Sequence, residues 1–170
     1  LPCTRIVFTS DKQSGNTRNE ATPQPKENEM DRSATAIWHG GLKDGGGSLT
    51  SQSHTLNDTP YSFHTRFEEA AGTNPEELIA AAHAGCFTMA LSSQLTSAEH
   101  PPSTIETTAT VTMETTDAGP TITKIHLSTH ATVPGIEKEK FDELATKAKN
   151  GCPISRLLKA AEITLDATLT

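Results

Sequence analysis

Three cysteines, Cys3, Cys86 and Cys152, hold the chain's prospects for nucleophilic or redox chemistry. They are too few for a disulfide scaffold and show no CxxC spacing. Cys152 stands between Gly151 and Pro153, at the N-cap place of a short helix, and a helix N-terminus lowers a thiol pKa. Cys86 falls in the middle of an apolar helix, on the side of Ile79, Ala82 and Ala90, where burial raises it. Residue chemistry alone ranks Cys152 as the readier thiolate. It leaves Cys86 a small hydrophobe, reactive only if the fold brings a cation to it. Cys3 reads as incidental.

Other groups offer less. Seven histidines (His39, His54, His64, His83, His100, His126 and His130) show no HExxH or CxxH spacing, so neither a metal nor a cofactor is expected. His83 precedes Cys86 by three residues, a spacing open to a cysteine hydrolase, but nothing supplies an oxyanion hole or an orienting acid. His64 and His83 read as structural, and His126 and His130 as solvated neighbours on one strand face. The glycines at 40–41 and 45–47 lack both the Gly-Lys-Ser/Thr ending and the GxGxxG spacing of phosphate loops, and read as a hairpin turn. The run EKEK at 137–140 reads as a solvated helix start.

The elements that must position the thiols follow from pattern. A helix is expected over 74–96, with Asn74 as N-cap, Pro75 at the first helical position and Glu77 at the third position of a capping box. Its apolar residues, from Leu78 to Leu91, cover nearly every face, which predicts a buried central helix. Ahead of it, strands at 34–38, 48–56 and 61–67 form a meander. Behind it, two Thr-, Ile- and Val-rich strands at 104–115 and 121–133 flank the turn Asp117-Ala118-Gly119-Pro120, the strongest hairpin signal in the chain. Phe141, Leu144, Ala145 and Ala148 mark an amphipathic helix over 137–149, ended by Asn150-Gly151. A short helix at 153–159 and a strand at 163–169 complete an order β-β-β-α-β-β-α-α-β. That order predicts an α+β domain with helices packed on antiparallel sheet.

Composition narrows the function classes. The 170 residues carry 14 Lys and Arg against 21 Asp and Glu, a net charge of -7, the wrong sign for gripping a phosphate backbone. No nucleic-acid partner is expected. Uninterrupted apolar runs are a few residues long, short of the ~20 that a membrane span needs, so no membrane association is expected either. The sparse cysteines fit a cytoplasmic location. Residues 1–29 balance four basic against four acidic side chains and show no apolar periodicity beyond Ile6-Val7-Phe8. They read as a disordered N-terminal extension, with no signal-peptide core, ahead of a domain at 30–170 whose natural start would be Met30.

The runs PYSFHTRFE at 60–68 and GTNPEELIAAAHAGCFTMAL at 72–91 resemble the OsmC (osmotically inducible protein C) family. So do Asp117-Ala118-Gly119 ahead of Ile122-Thr123-Lys124-Ile125, then Val133-Pro134-Gly135-Ile136, KAKNGCPIS at 147–155 and KAAEITLD at 159–166. The likeness covers residues 34–170 in family order. It favours the osmotically inducible branch over the organic hydroperoxide resistance branch, because the candidate arginine falls in the Thr65-Arg66-Phe67-Glu68 segment, read as strand.

The resemblance implies an OsmC-like α+β fold, antiparallel sheets wrapped around two main helices, in an intertwined homodimer. It implies a thiol-dependent peroxidase that reduces organic hydroperoxides, and more weakly hydrogen peroxide. Cys86 matches the peroxidatic cysteine, Cys152 the resolving cysteine, Arg66 the activating arginine and Glu76 its carboxylate partner. This reverses the ranking of the thiols, and Arg66 would be the missing cation. A dihydrolipoyl-type dithiol is the implied reductant. Glu76 and Cys86 lie ten residues apart on one helix, about 15 Å along its axis. If Arg66 and Glu76 serve Cys86 together, they should come from a partner chain, through a two-fold pairing of antiparallel central helices. Phe87 and Met89 are candidates for an apolar substrate lining. The competing expectation is a catalytically silent, stress-linked binding or structural dimer whose thiols are inert core.

Overall fold

The computed structural model describes residues 30–170; the extension expected at 1–29, and Cys3 within it, lie outside the described residues. From Ser33 to Thr170 the chain forms one unit containing two three-stranded sheets.

The first sheet is the expected meander: β1 (Ala34–His39), β2 (Gly46–Ser51) and β3 (Thr59–Ser62), antiparallel in that order. The glycine cluster makes its first hairpin turn, with Gly40 at φ +84°. Gly47 faces Trp38 on one side and Tyr61 on the other. A Cβ there would lie 2.0 Å from the Ile37 carbonyl oxygen and 2.7 Å from the Tyr61 ring. The bare backbone lets the two aromatic rings approach to 5.2 Å between centroids.

The third strand stops short of the expected end. Residues 61–67 alternate like a strand, yet Ser62 caps a helical turn, α1 (Phe63–Phe67). The Thr65 N–H donates to the Ser62 hydroxyl at 3.1 Å, and the Ser62 N–H donates to the Thr65 hydroxyl at 2.8 Å. This reciprocal capping box satisfies donors that a strand would leave at the sheet edge. Arg66 therefore projects from a helix, not from a strand.

Helix α2 (Pro75–Ser97) starts as expected, the Glu77 N–H donating to the Asn74 side chain at 2.8 Å. Asn74 also donates to the Thr65 carbonyl at 3.2 Å, tying α1 to the helix start. His83, Phe87, Leu91 and Leu95, four residues apart, are buried. The expectation of burial all round fails on the opposite side. Ala81, Ala82, Gly85 and Met89 are exposed, because this chain packs elements against only one flank of the helix. Length and a mean hydropathy of 1.3 would let α2 cross a bilayer, but its buried stripe against α3 and β4 marks it as a core helix.

The second sheet holds β4 (Thr104–Thr116), β5 (Gly119–Thr132) and β6 (Glu162–Leu169). The β4–β5 hairpin is antiparallel, with a bulge at Thr112/Met113. The last pairing corrects the expectation: β6 runs parallel to β5. Helices α3 (Lys138–Gly151) and α4 (Pro153–Leu157) carry the chain back between them, and a helical crossover of that length returns a strand in the same direction. Ile125, Leu127, Thr129 and Ala131 alternate inward from β5, and Leu127 and Ala131 share a core with Phe141, Leu144, Ala145 and Ala148 of α3. Full burial stabilises each large apolar side chain here by about 1.5–3 kcal/mol. Cys152 belongs to this core cluster.

Candidate active site

Cys152 ends α3 and begins α4. Its N–H donates to the Ala148 carbonyl at 2.9 Å, and its own carbonyl accepts from the Arg156 N–H at 3.0 Å. Pro153 at the first position of α4 needs no donor partner and fixes the turn. This hinge between two helices aims the Cys152 thiol at α2. The fully buried Cys152 sulfur lies 2.9 Å from that of the half-buried Cys86, 66 residues away in sequence. A disulfide needs about 2.05 Å, so closing one requires movement of less than about 1 Å.

The surroundings pull the two thiols apart. Burial pushes the Cys86 thiol up, the hydrogen bond to Cys152 pushes it further, and the Ile154 N–H offsets only part. Burial acts on Cys152 in the same direction, but the bond to Cys86, the N–H and hydroxyl of Ser155 and the Ile154 N–H outweigh it and leave the thiol lowered. The two thiols act on each other, with Cys86 moved up and Cys152 moved down. Within the chain, the ranking drawn from residue chemistry stands, and no cation is among the groups acting on Cys86.

Arg66 and Glu76 form a second pair. Arg66 Nη2 lies 2.6 Å from Glu76 Oε1, and Nε lies 3.2 and 3.1 Å from the two carboxylate oxygens. Burial alone would raise Glu76; the Arg66 hydrogen bond and charge reverse that and hold it below 4.5. The same bond raises the Arg66 guanidinium against its own burial. The guanidinium also lies 5.3 Å from the Phe67 ring centroid and 3.7 Å from Met113 Sδ. The pair sits at the first turn of α2, ten residues before Cys86. The four candidate residues thus form two couples, one of sulfurs and one of charges.

Phe87 and Met89 do not line a common pocket: Phe87 is fully buried in the core, and Met89 is 75% exposed. An apolar cleft of about 220 Å³ lies instead beside Arg66, bounded by Trp38, Leu42, Tyr61, Phe63 and Phe67. Sequence reading missed it, although four of the chain's seven aromatics fall between 38 and 67. It also missed Ser155. His83 turns Nε2 to the Ser155 hydroxyl at 2.8 Å, so its spacing from Cys86 forms no hydrolase dyad. The signal was available: in Cys-Pro-Ile-Ser a helix-start serine stands three residues after the thiol. His64 pairs with Glu68 at 2.8 Å on the surface. Among the described residues, no group of three or more His, Cys, Asp or Glu is placed to hold a metal ion.

Comparison with known proteins places these couples in context. The family description "OsmC-like protein" matches residues 68–167. The chain is 54% identical to Peroxiredoxin OsmC of Escherichia coli (strain K12) over 134 residues, 79% of this chain and 93% of that protein. An organic hydroperoxide resistance protein from Elizabethkingia anophelis, crystallised with thiocyanate, superposes with a TM-score of 0.61 at 26% identity, covering 85% of this chain and 99% of that one. An OsmC-like protein of unknown function from Vibrio cholerae superposes at 0.66 and 16% identity, over 82% and 99%, a likeness of fold.

Proposed function

The chain belongs to the OsmC family, and on that footing we propose that it is a cysteine-based peroxidase that reduces organic hydroperoxides, and more weakly hydrogen peroxide, to alcohol or water. The observation that carries the reading is the 2.9 Å approach of Cys86 and Cys152. The Cys86 thiolate attacks the outer peroxide oxygen, the O–O bond breaks, and the alkoxide leaves as alcohol with a proton, giving a Cys86 sulfenic acid. Cys152 attacks the sulfenic sulfur, the S–O bond breaks, and water and a Cys86–Cys152 disulfide form. An external dithiol, of dihydrolipoyl type, then restores both thiols by exchange.

The first step needs a cation at Cys86 that the chain does not bring there itself. In our reading Arg66, oriented by Glu76, serves the Cys86 of a second copy within an intertwined homodimer. Two observations favour this assembly. Arg66 and Glu76 are locked together ten residues, about 15 Å along the helix, before their own Cys86. The exposed stripe Ala81, Ala82, Gly85 and Met89 gives α2 a flat apolar flank on which an antiparallel α2 fits. Such pairing carries the cleft of Trp38, Tyr61 and Phe63 to the partner's thiols, where it takes the organic tail of the substrate. The cytoplasm, where dithiol reductants are maintained, is the proposed location.

The test is intact mass and free-thiol count before and after one equivalent of cumene hydroperoxide, on the wild type, Cys86→Ser and Cys152→Ser. Loss of two hydrogens in the wild type, with a sulfenic adduct only in Cys152→Ser, is the expected result. Unchanged mass and thiols would instead assign the chain to a catalytically silent binding dimer.

A further inference from the structure

His83 is a fully buried titratable side chain that the peroxidase cycle described above leaves without a task. It lies on α2 one turn before Cys86, Nε2 at 2.8 Å from the Ser155 hydroxyl, with no partner for Nδ1. Ser155 is buried too and holds the third position of α4, the helix that Cys152 caps, which places its hydroxyl and N–H on the side of the Cys152 sulfur. His83 of α2 thus meets Ser155 of α4, and Cys152 at the start of α4 meets Cys86 of α2.

We propose that His83 and Ser155 form a buried relay that aims a hydroxyl proton at Cys152 and keeps that thiol ready to resolve the sulfenic acid. The direction follows from which ring nitrogen holds the hydrogen. A proton on Nδ1 would leave a buried N–H without an acceptor, a rare and costly arrangement. It would also make Nε2 accept the Ser155 hydrogen, turning it away from the sulfur. With the proton on Nε2, the imidazole donates to Ser155 and the hydroxyl is free to donate to Cys152, leaving only a bare lone pair at Nδ1. Burial holds His83 below its ordinary range, so the ring stays neutral and the tautomer persists. His83 is a positioning residue, acting through Ser155.

The relay rests on the peroxidase reading for the step it serves. In that step Cys152 attacks the Cys86 sulfenic sulfur, and the proton lost by Cys152 leaves with the hydroxide as water. The relay finishes with the hydrogens it began with. The titratable groups facing Cys152 are Cys86 and, through Ser155, His83. Lys149, Arg156 and Lys159 line a cleft that Ser155 also borders.

The test reads Cys152 directly. In a Cys86→Ser background, thiolate ultraviolet absorbance is titrated with Ser155, Ser155→Ala, Ser155→Thr, His83→Leu and His83→Gln. Loss of one hydrogen bond to a charged group predicts a Cys152 titration about one pH unit higher in Ser155→Ala. A smaller rise is expected in His83→Leu. Values near the parent are expected in Ser155→Thr and in His83→Gln, whose amide can still donate. With Cys86 restored and cumene hydroperoxide added, resolution in Ser155→Ala should slow only about three-fold below neutral pH, because a more basic thiolate is also the better nucleophile. The deficit should vanish in alkali, which a merely structural defect would not produce. Imidazole nitrogen NMR shifts of the wild type should report the Nε2–H tautomer. An unmoved Cys152 titration in Ser155→Ala, or the Nδ1–H tautomer, overturns the relay. Absence of Cys86 oxidation in every variant would overturn the peroxidase reading, while the titration would still decide the relay.

Discussion

The two sheets of this chain are finished to different degrees. Around β4, β5 and β6, the chain supplies its own cover: Phe87, Leu91, Leu95, Leu127 and Phe141 show no exposed surface. Around β1, β2 and β3 it does not. Every residue of those strands is at least partly exposed, Ile37 is 49% open and Leu42, in the hairpin turn, 69%. The sulfur couple belongs to the finished region and the charge couple to the edge of the unfinished one. In the proposed cycle, the chain preorganises the bond to be made and broken, and mounts Arg66 where another surface can receive it.

The strongest way to break this comparison is to divide the couples between chains. Cys86→Ser should reduce hydroperoxide consumption to background, and Arg66→Ala should reduce it by about two to three orders of magnitude, the usual cost of losing one charge-stabilising donor. Mixed after co-refolding, the two variants should recover about a quarter of wild-type activity, since half the dimers are hybrid and each holds one intact site. No recovery in a peroxide-consumption assay would mean that Arg66 serves its own chain.

The next test sets core against surface. Phe87→Ala should cost about 3–5 kcal/mol in chemical denaturation. Ile37→Ala should cost under about 1 kcal/mol in an isolated chain, because its side chain is half in water already. A cost near that of a core residue would show Ile37 covered by a second copy. Met89→Asp offers a milder probe. The Met89 side chain is mostly exposed in the chain, so the fold should survive while sedimentation shifts towards monomer. The Cys86 of that monomer should be alkylated more slowly at neutral pH than that of the dimer, since burial and Cys152 raise it and the Ile154 N–H offsets only part.

The smallest effect lies in acid. Glu76 is held below 4.5 in the folded chain, so its pair with Arg66 contributes fully above about pH 4.5 and is lost as pH falls through the folded value. With Arg66 well exposed, the contribution is under about 1 kcal/mol. Glu143, held at about 2 by Lys147 and Lys140, loses its interactions as pH falls through that value. Stability curves of Glu76→Gln and Glu143→Gln should therefore both flatten below about pH 4.5 relative to the wild type, as followed by chemical denaturation in acid.

Much of this was legible in the residues. The caps and turns placed α2, α3 and the β4–β5 hairpin within a few positions, because Asn74, Pro75 and the Asp117-Ala118 turn act locally. Strand direction is not local, and nothing in residues 162–169 distinguishes a parallel partner from an antiparallel one. The 61–67 segment misled because its alternation fits a strand while the Ser62–Thr65 box, a competing local signal, fits a helix. Family likeness pointed to both cysteines. It also named Glu76 as the partner of Arg66, ten residues away on the neighbouring helix, whereas the 2.9 Å approach of the sulfurs depended on packing between elements 66 residues apart. His83 carried no motif, and its role emerges only from the serine that α4 presents to it.

The same span of 66 residues between the two sulfurs has a mechanical meaning. Once oxidised, the chain is a loop closed by a covalent staple joining the central helix to the crossover. Loop-closure entropy makes such a staple worth about 4 kcal/mol against unfolding, or roughly ten degrees in melting temperature for a domain of this length. The protein would be most heat-resistant in its spent form, so a melting curve doubles as a gauge of how much of the population has met peroxide and still awaits reduction.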